Sequence, residues 1–192
     1  MSVLILMALG WMALTGALAH LNLLSDFSRN NPAIGWLILI AFGVSTAVSV
    51  SPLCAGFART APIAWLIGLQ SFRLAVELLL HRGYLAGLVP EQMTWSGRNF
   101  DIFTGLTALP LAYLAATGRL PRWAAILWNL AGFALLLNLM TVMILSTPTV
   151  FRLFPNDPSA AFIARFPAIW LPTVLFPAAW AGHLLLFRRL QS

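Results

Sequence analysis

The sequence predicts an all-α integral membrane protein whose six transmembrane helices pack into one compact bundle, forming a single domain. Hydrophobic residues make up 60% of the chain and charged residues only 8%, whereas a soluble domain carries about 25% charged residues. Several apolar runs also reach the roughly 20 residues that an α-helix needs to cross a bilayer. We therefore expect a multi-pass protein of 192 residues that is surrounded by membrane lipid.

Six apolar segments are predicted to be the spanning helices, separated by connectors rich in Pro, Gly, Asn and Arg. Their predicted bounds are about 3–24, 33–57, 61–87, 100–117, 123–146 and 167–187. The first lacks a preceding basic region, so it is predicted to be a span and not a cleaved signal peptide. The second carries Ala41, Ser45 and Ser49 at four-residue spacing. Such a small-residue face favours close contact between helices.

Helix length, prolines and asparagines predict further features of the third to sixth segments. The third helix is long enough for its far end to leave the hydrocarbon, and Pro110 predicts a kink in the fourth. The fifth contains Asn129 and Asn138, which are nine residues apart and so lie on opposite helix faces. The sixth contains Pro172 and Pro177. Neighbouring helices must therefore satisfy the carbonyls that these prolines leave without a partner.

The net charge of +6 comes from eleven Arg and no Lys, scattered over loops and helix ends. These scattered positions indicate that the arginines set the membrane topology and contact lipid headgroups. They argue against nucleic-acid binding. Six spans place five arginines at the end of the molecule that holds both termini: Arg59, Arg119, Arg122, Arg188 and Arg189. Five others lie at the opposite end: Arg29, Arg82, Arg98, Arg152 and Arg165. The loop acids and longer loops at that second end favour cytoplasmic termini.

A polar stripe on the third helix is the strongest functional signal. At 100° per residue, five polar residues between positions 70 and 84 share an arc of about 80°, and the other faces are mainly Leu, Ala, Val and Phe. The stripe consists of Gln70, Arg73, Glu77, His81 and Tyr84. Charged side chains in hydrocarbon cost at least about 2.5 kcal/mol each, so they face a protein interior or a wet cavity. The stripe therefore predicts either a ligand or proton site, or an ion pair that fixes helix packing.

Three of the stripe residues suggest individual roles, and Gln70 and Tyr84 would line the same site. Arg73 and Glu77 are four residues apart and can pair along the helix, although Arg before Glu is the less favourable order. Arg73 would bind an anionic group, Glu77 would be the protonatable residue, and His81 would relay protons outward. The following loop would form a lid through Glu91, Gln92, Arg98, Asn99 and Asp101. Asn99 is also expected to cap the next helix, and the loop reaches Glu77 only if it folds inward.

Cofactor chemistry has little support in the sequence. The single cysteine, Cys54, excludes an intrachain disulfide and a cysteine-rich metal site. His20 and His81 should lie toward the same membrane face and could ligate a haem, but no second signature accompanies them, so we expect no cofactor. The chain also lacks a Gly-x-Ser-x-Gly elbow, a His-Glu-x-x-His motif and a phosphate-binding glycine loop.

Several short motifs resemble those of a group of small bacterial membrane proteins whose activity is not known. The motifs are Phe72-Arg73 with Glu77, Pro90-Glu-Gln-Met-Thr94, Gly97-Arg-Asn-Phe-Asp-Ile102 and Leu120-Pro-Arg-Trp123. The resemblance implies a bacterial cytoplasmic-membrane protein and no particular mechanism. The residues favour a small transporter or a protein that binds a lipid or a small anionic ligand. Two alternatives remain: a membrane-embedded enzyme acting on a lipid-like substrate, and a structural or assembly subunit.

Overall fold

The computed structural model of the protein describes residues 2–28 and 32–191, and these residues form helices joined by turns, without a β-strand. Numbered in chain order, the α-helices in these ranges are α1 (Ser2–His20), α2 (Ala33–Val50), α3 (Ala55–Thr60), α4 (Ile63–Gly68), α5 (Phe72–Leu85), α6 (Ile102–Ala116), α7 (Arg122–Ser146) and α8 (Phe176–Gln191). The predicted all-α class is confirmed. Arg29, which entered the predicted topology, lies outside the described residues.

Three helical segments of this part of the chain are long and apolar enough to cross a membrane. They are Ala33–Val50, Ile63–Leu85 and Arg122–Ser146. Two further apolar helices, Ile5–His20 and Ile102–Ala116, are shorter. The structure therefore supports three candidate spans by length and composition, and the number six remains a prediction.

Several predicted helix ends are wrong, and proline explains the clearest case. The predicted helix 33–57 ends at Val50, because Ser51 precedes Pro52 and takes an extended conformation with ψ 160°. A short turn and α3 follow it. The predicted helix 3–24 also ends earlier than expected, at His20. The predicted helix 61–87 is closer, since α4 and α5 form one apolar rod joined by the tight 3₁₀ turn Leu69–Ser71.

The predicted sixth helix begins later than expected, and its proline breaks have partners from other helices. A turn of π-helix, Leu171–Leu175, precedes α8. Pro177 has no N–H for the carbonyl of Thr173, four residues earlier, and the indole of Trp11 in α1 donates to that carbonyl at 2.9 Å. Ser45 of α2 donates to the carbonyl of Pro177 at 2.7 Å. The predicted small-residue face of α2 therefore lies against this bent part of the chain, and α2 packs on α8.

Two apolar clusters form the core, one toward each end of the α4–α5 rod. Leu66 and Ile67 pack in one cluster with Leu186 of α8. Val76 and Leu80 belong to the other, which includes residues from α7 and from the segment around 160–169. The rod residues between these two groups include Gln70 and Arg73. The fold therefore buries the polar stripe at the level where α6, α7 and α8 approach the rod.

Candidate functional site

The stripe divides into a buried part and a half-buried part. Gln70, Arg73 and Glu77 are 1%, 2% and 0% exposed. His81 and Tyr84, further along α5, are half-buried. Other helices add buried polar residues at the same level. We call the following set the polar cluster: Gln70, Arg73, Glu77, Asn99, Asp101, Thr104, Asn129 and His183.

Arg73 is the hub of the polar cluster. Its Nε donates to Asp101 Oδ2 at 2.6 Å, and its NH2 contacts Asp101 Oδ1, completing a two-point ion pair. NH1 bonds Nε2 of His183 at 2.7 Å, and NH2 also donates to the carbonyl of Gly132 at 3.2 Å. One guanidinium thus connects α5 with the start of α6, with α7 and with α8. All three of its nitrogens have partners inside the protein.

The partners of His183 fix its tautomer. Arg73 can only donate, so Nε2 of His183 accepts and the ring proton is on Nδ1. That Nδ1–H donates to Asn129 Oδ1 at 2.7 Å, and the Asn129 amide donates to the His183 carbonyl at 3.1 Å. His183 is therefore a neutral imidazole held between α7 and α5. This arrangement uses Asn129 and not Asn138, which agrees with their predicted opposite faces.

The predicted pairing of Arg73 with Glu77 is wrong in this structure, because Asp101 takes the place of the partner acid. Arg73 directs two nitrogens to the Asp101 carboxylate, whereas Glu77 bonds the Asn99 amide. Asp101, predicted as a lid residue, lies at the start of α6 and supplies this acid. Asp101 occupies the position predicted for an external anion. Anion binding by Arg73 remains a prediction, and it requires Asp101 to move.

Glu77 has one oxygen bound and one without a partner. Oε2 accepts a hydrogen bond from the Asn99 amide at 2.7 Å. Oε1 is buried and has no hydrogen-bond partner. Two more oxygens of the polar cluster, Gln70 Oε1 and Thr104 Oγ1, are likewise buried without a partner. The site therefore holds three buried acceptor atoms that can still receive a proton donor.

Asn99 shows that the 90–101 loop folds into the bundle. Besides Glu77, its amide donates to the carbonyl of Met93 at 2.9 Å, and its Oδ1 accepts the backbone N–H of Asp101 at 3.0 Å. The last contact supports Asp101, which is the N-cap of α6 and makes no side-chain cap hydrogen bond of its own. The capping of α6 by Asn99 itself stays a prediction. Gly97, whose added Cβ would fall 2.6 Å from the Gln92 Cα, permits the tight packing of this loop.

The other predicted lid residues lie outside the polar cluster. Gln92 is buried and donates to Ser146 Oγ at 2.9 Å, and its side chain also exchanges hydrogen bonds with Asn156. Arg98 is exposed and its guanidinium lies 5.3 Å from the ring centre of Phe154. Glu91 is exposed. Of the five predicted lid residues, Asn99 and Asp101 meet the stripe, while Gln92 and Arg98 bind the segment around residues 154–156.

His81 and His20 have separate sets of neighbours. His81 stacks on Trp95 at 4.0 Å between ring centres, and its Nδ1 is buried without a partner. Tyr84 lies 5.9 Å from the same ring. His20 is exposed and meets the edge of Phe166. Within the described ranges, no group of three or more His, Cys, Asp or Glu side chains could hold a metal ion.

Sequence reasoning missed His183 as a site residue and assigned Asp101 to a lid. The sequence does contain a signal for His183, because a lone polar residue in an apolar helix is expected to face other helices. What the sequence lacks is the relative rotation of α5, α7 and α8. That rotation brings Arg73, Asn129 and His183 together from positions up to 110 residues apart.

The chain belongs to a family of unknown function. The family model described as "Domain of unknown function (DUF8737)" matches residues 33–191, which is most of the chain. This agrees with the predicted membership of an uncharacterised family. No curated protein and no solved structure matches the chain. The polar cluster, all of which falls within the matched residues, therefore carries the functional argument.

Proposed function

We propose that the protein is a small bacterial transporter of the inner membrane in which Glu77 binds and releases a proton. We further propose six spans with both termini in the cytoplasm. The observation that carries the proposal is the buried, unpartnered Oε1 of Glu77 beside an ion pair that is already complete. Arg73 and Asp101 neutralise each other, and His183 is neutral. Glu77 is thus the acid of the polar cluster that forms no ion pair of its own within the described residues.

The tight enclosure of the cluster favours a proton over a larger ligand. Three cavities of the protein are lined by other residues, and each residue of the polar cluster is at most 2% exposed. A buried carboxylate without a cation is costly, and a proton is the smallest species that removes its charge. His81 lies one helical turn, about 6 Å, further out and offers a second unpartnered atom. These two residues form the first steps of a route toward the outer end.

The first test asks whether Glu77 changes protonation. Infrared difference spectra of the purified protein are recorded between acidic and alkaline pH, and the carboxylic-acid C=O band is followed. We expect a band that disappears in Glu77→Gln and persists in Glu91→Gln, which removes an exposed loop carboxyl by the same substitution. Identical spectra for the wild type and Glu77→Gln would contradict the proposed role of Glu77.

The second test asks whether protons move across the membrane. Proteoliposomes containing a pH-sensitive dye are given a membrane potential by valinomycin and a potassium gradient. We expect proton entry that is at least about tenfold slower with Glu77→Gln than with the wild type or Glu91→Gln. Wild-type flux equal to that of protein-free liposomes would contradict the transport function.

A structural or assembly role is the second candidate, and one observation favours it. Every nitrogen of the Arg73 guanidinium is bonded within the protein, and these bonds join four elements. Such a network can serve mainly to fix how the helices pack. Under this alternative, Glu77→Gln lowers the melting temperature without any change in proton flux. The enzyme alternative receives no comparable support from the cluster, because the enclosed residues leave a lipid-like substrate no room to reach Glu77.

A further inference from the structure

The end of the molecule opposite His81 carries a pocket between helices. A cavity of about 210 Å³ lies among α4, α6, α7 and α8. Its walls are apolar side chains with two arginines, Arg122 from the first turn of α7 and Arg189 from the last turn of α8. From these residues we infer that the pocket binds a phosphate group, either the headgroup of an anionic phospholipid or free phosphate.

The two arginines are held by backbone contacts that fix their position at the pocket. Arg122 NH2 donates to the carbonyl of Leu190, and Arg189 Nε donates to the carbonyl of Ala61 at 3.0 Å. A guanidinium has five N–H donors in a planar fork. The bond to Leu190 uses one nitrogen of Arg122, so its other donors can address a ligand. A fork of this kind suits the oxygens of a phosphate.

The electrostatic setting favours an anion at this end. The 25-residue helix α7 begins at Arg122, and the N-terminus of a helix carries a partial positive charge. The same end of the molecule carries three more arginines, Arg59, Arg119 and Arg188. The acids of the loops, such as Glu91 and Asp157, lie on the segments of the other end. A basic pocket between helices on the cytoplasmic side is the kind of site that binds phospholipid headgroups.

The pocket walls match the rest of a phospholipid. Leu120, Ala115 and Ile63 give the cavity apolar sides, and Trp65 and Tyr113 are exposed on the neighbouring turns of α4 and α6. Tyr and Trp are enriched where helices meet the membrane interface. A headgroup seated between the arginines could therefore leave its acyl chains along this apolar surface. The inference shares no residue with the polar cluster and so does not depend on proton transport by Glu77, although the cytoplasmic side of the pocket rests on the proposed topology.

Native mass spectrometry of the detergent-purified protein tests the site with phosphatidylglycerol, phosphatidylcholine and inorganic phosphate as probes. We expect phosphatidylglycerol to bind at least about fivefold more tightly than phosphatidylcholine. Arg122→Gln should weaken phosphatidylglycerol binding about fivefold, the effect of one arginine near a membrane surface. Arg82→Gln is the matched control, since it removes an exposed arginine at the other end and should leave binding unchanged.

A second variant covers the possibility that Arg122→Gln does not fold. Ala115→Leu fills the pocket and leaves both arginines in place, so it should weaken phosphatidylglycerol binding to a similar extent. Competition by inorganic phosphate would identify a soluble phosphate as a ligand, and its failure to compete would assign the site to the lipid. Phosphatidylglycerol binding that is equal in the wild type, Arg122→Gln and Ala115→Leu would overturn the inference.

Discussion

At the scale of single residues, the Arg73–Asp101 pair dominates the energetics of the buried site. Both side chains are 3% exposed, so water screens neither charge. A buried pair of this kind adds little net stability compared with apolar residues, but removal of one partner leaves an uncompensated buried charge. The pair therefore makes the helix arrangement specific, because only packing that brings α6 to α5 allows both charges to be buried.

Neutralising Asp101 should destabilise the protein strongly. We expect Asp101→Asn to lower the free energy of unfolding by about 3–5 kcal/mol, since it leaves the Arg73 charge buried alone. Asp157→Asn is the control, because Asp157 is 92% exposed and 3.8 Å from Arg152, and exposed pairs contribute about 0–1 kcal/mol. Thermal unfolding in detergent measures both. The double variant Arg73→Met with Asp101→Leu should recover part of the loss, and a further loss instead would contradict this account.

Substitution of Asn99 by alanine should destabilise the protein more than the same substitution of another hydrogen-bonded asparagine, Asn138. Asn99→Ala removes the bonds to Glu77, to the Met93 carbonyl and to the Asp101 N–H, which together contribute about 3 kcal/mol at roughly 1 kcal/mol each. Asn138→Ala removes one exposed bond to the Arg98 carbonyl and should cost about 1 kcal/mol or less. Melting temperatures of the two variants in the same detergent provide the comparison. Equal shifts would show that the loop is not anchored through Asn99.

At the scale of elements, close contact between α5 and α6 positions the site. Gly105 of α6 lies against the backbone of α5, where an added Cβ would meet Leu74 N and would fall 2.9 Å from Leu74 Cα and 3.0 Å from the Arg73 carbonyl carbon. Only a residue without a side chain allows this approach. The contact holds Asp101, one turn earlier in the chain, within reach of Arg73.

A methyl group at Gly105 should therefore push the two helices apart. We expect Gly105→Ala to cost about 1–3 kcal/mol, the usual range for overpacking in a closely packed interior. Gly43→Ala is a matched control in α2, where the added Cβ meets nothing within 4 Å, and it should be neutral or stabilising by up to about 1 kcal/mol. Unfolding experiments in detergent distinguish the two. A neutral Gly105→Ala would mean that α5 and α6 can separate without loss of packing.

At the scale of the whole molecule, the two ends have different chemistry. One end carries the 90–101 loop and the segment around 150–166, where Phe151 and Leu153 are exposed. The other end carries the short connectors around Arg59 and Arg119 and the basic pocket. The arginines are shared equally between the ends, so the acids and loop lengths decide the predicted orientation. That orientation places the 90–101 loop outside the cell.

Cysteine labelling tests this orientation. Cys54 is the single cysteine and is half-buried, so Cys54→Ser gives a background without thiols. On this background, an impermeant maleimide should label exposed Ser96→Cys in intact bacterial cells. Exposed Arg119→Cys should be labelled only after the membrane is permeabilised. The reverse pattern would invert the orientation, and labelling of both positions in intact cells would contradict the six-span topology.

The apolar composition determined the all-α class, and the regular spacing of polar residues located the stripe on α5. Local chemistry also predicted that Asn99 supports the start of α6 and that the α8 prolines need partners. These features depend on neighbours in the chain, so the sequence contains them directly. Helix ends near Pro52 and His20 were less accurate, because one turn gained or lost barely changes an apolar pattern.

The partners of Arg73 were decided only by the tertiary structure. Arg73 and Glu77 are neighbours on one helix, yet the pair that forms is Arg73 with Asp101. The reason is geometric: Gly105 lets α6 approach α5 closely enough for Asp101 to meet Arg73. Rotation of α8 adds His183 to the same site. The sequence thus determined that charges are buried on α5, and helix packing determined which of them forms an ion pair.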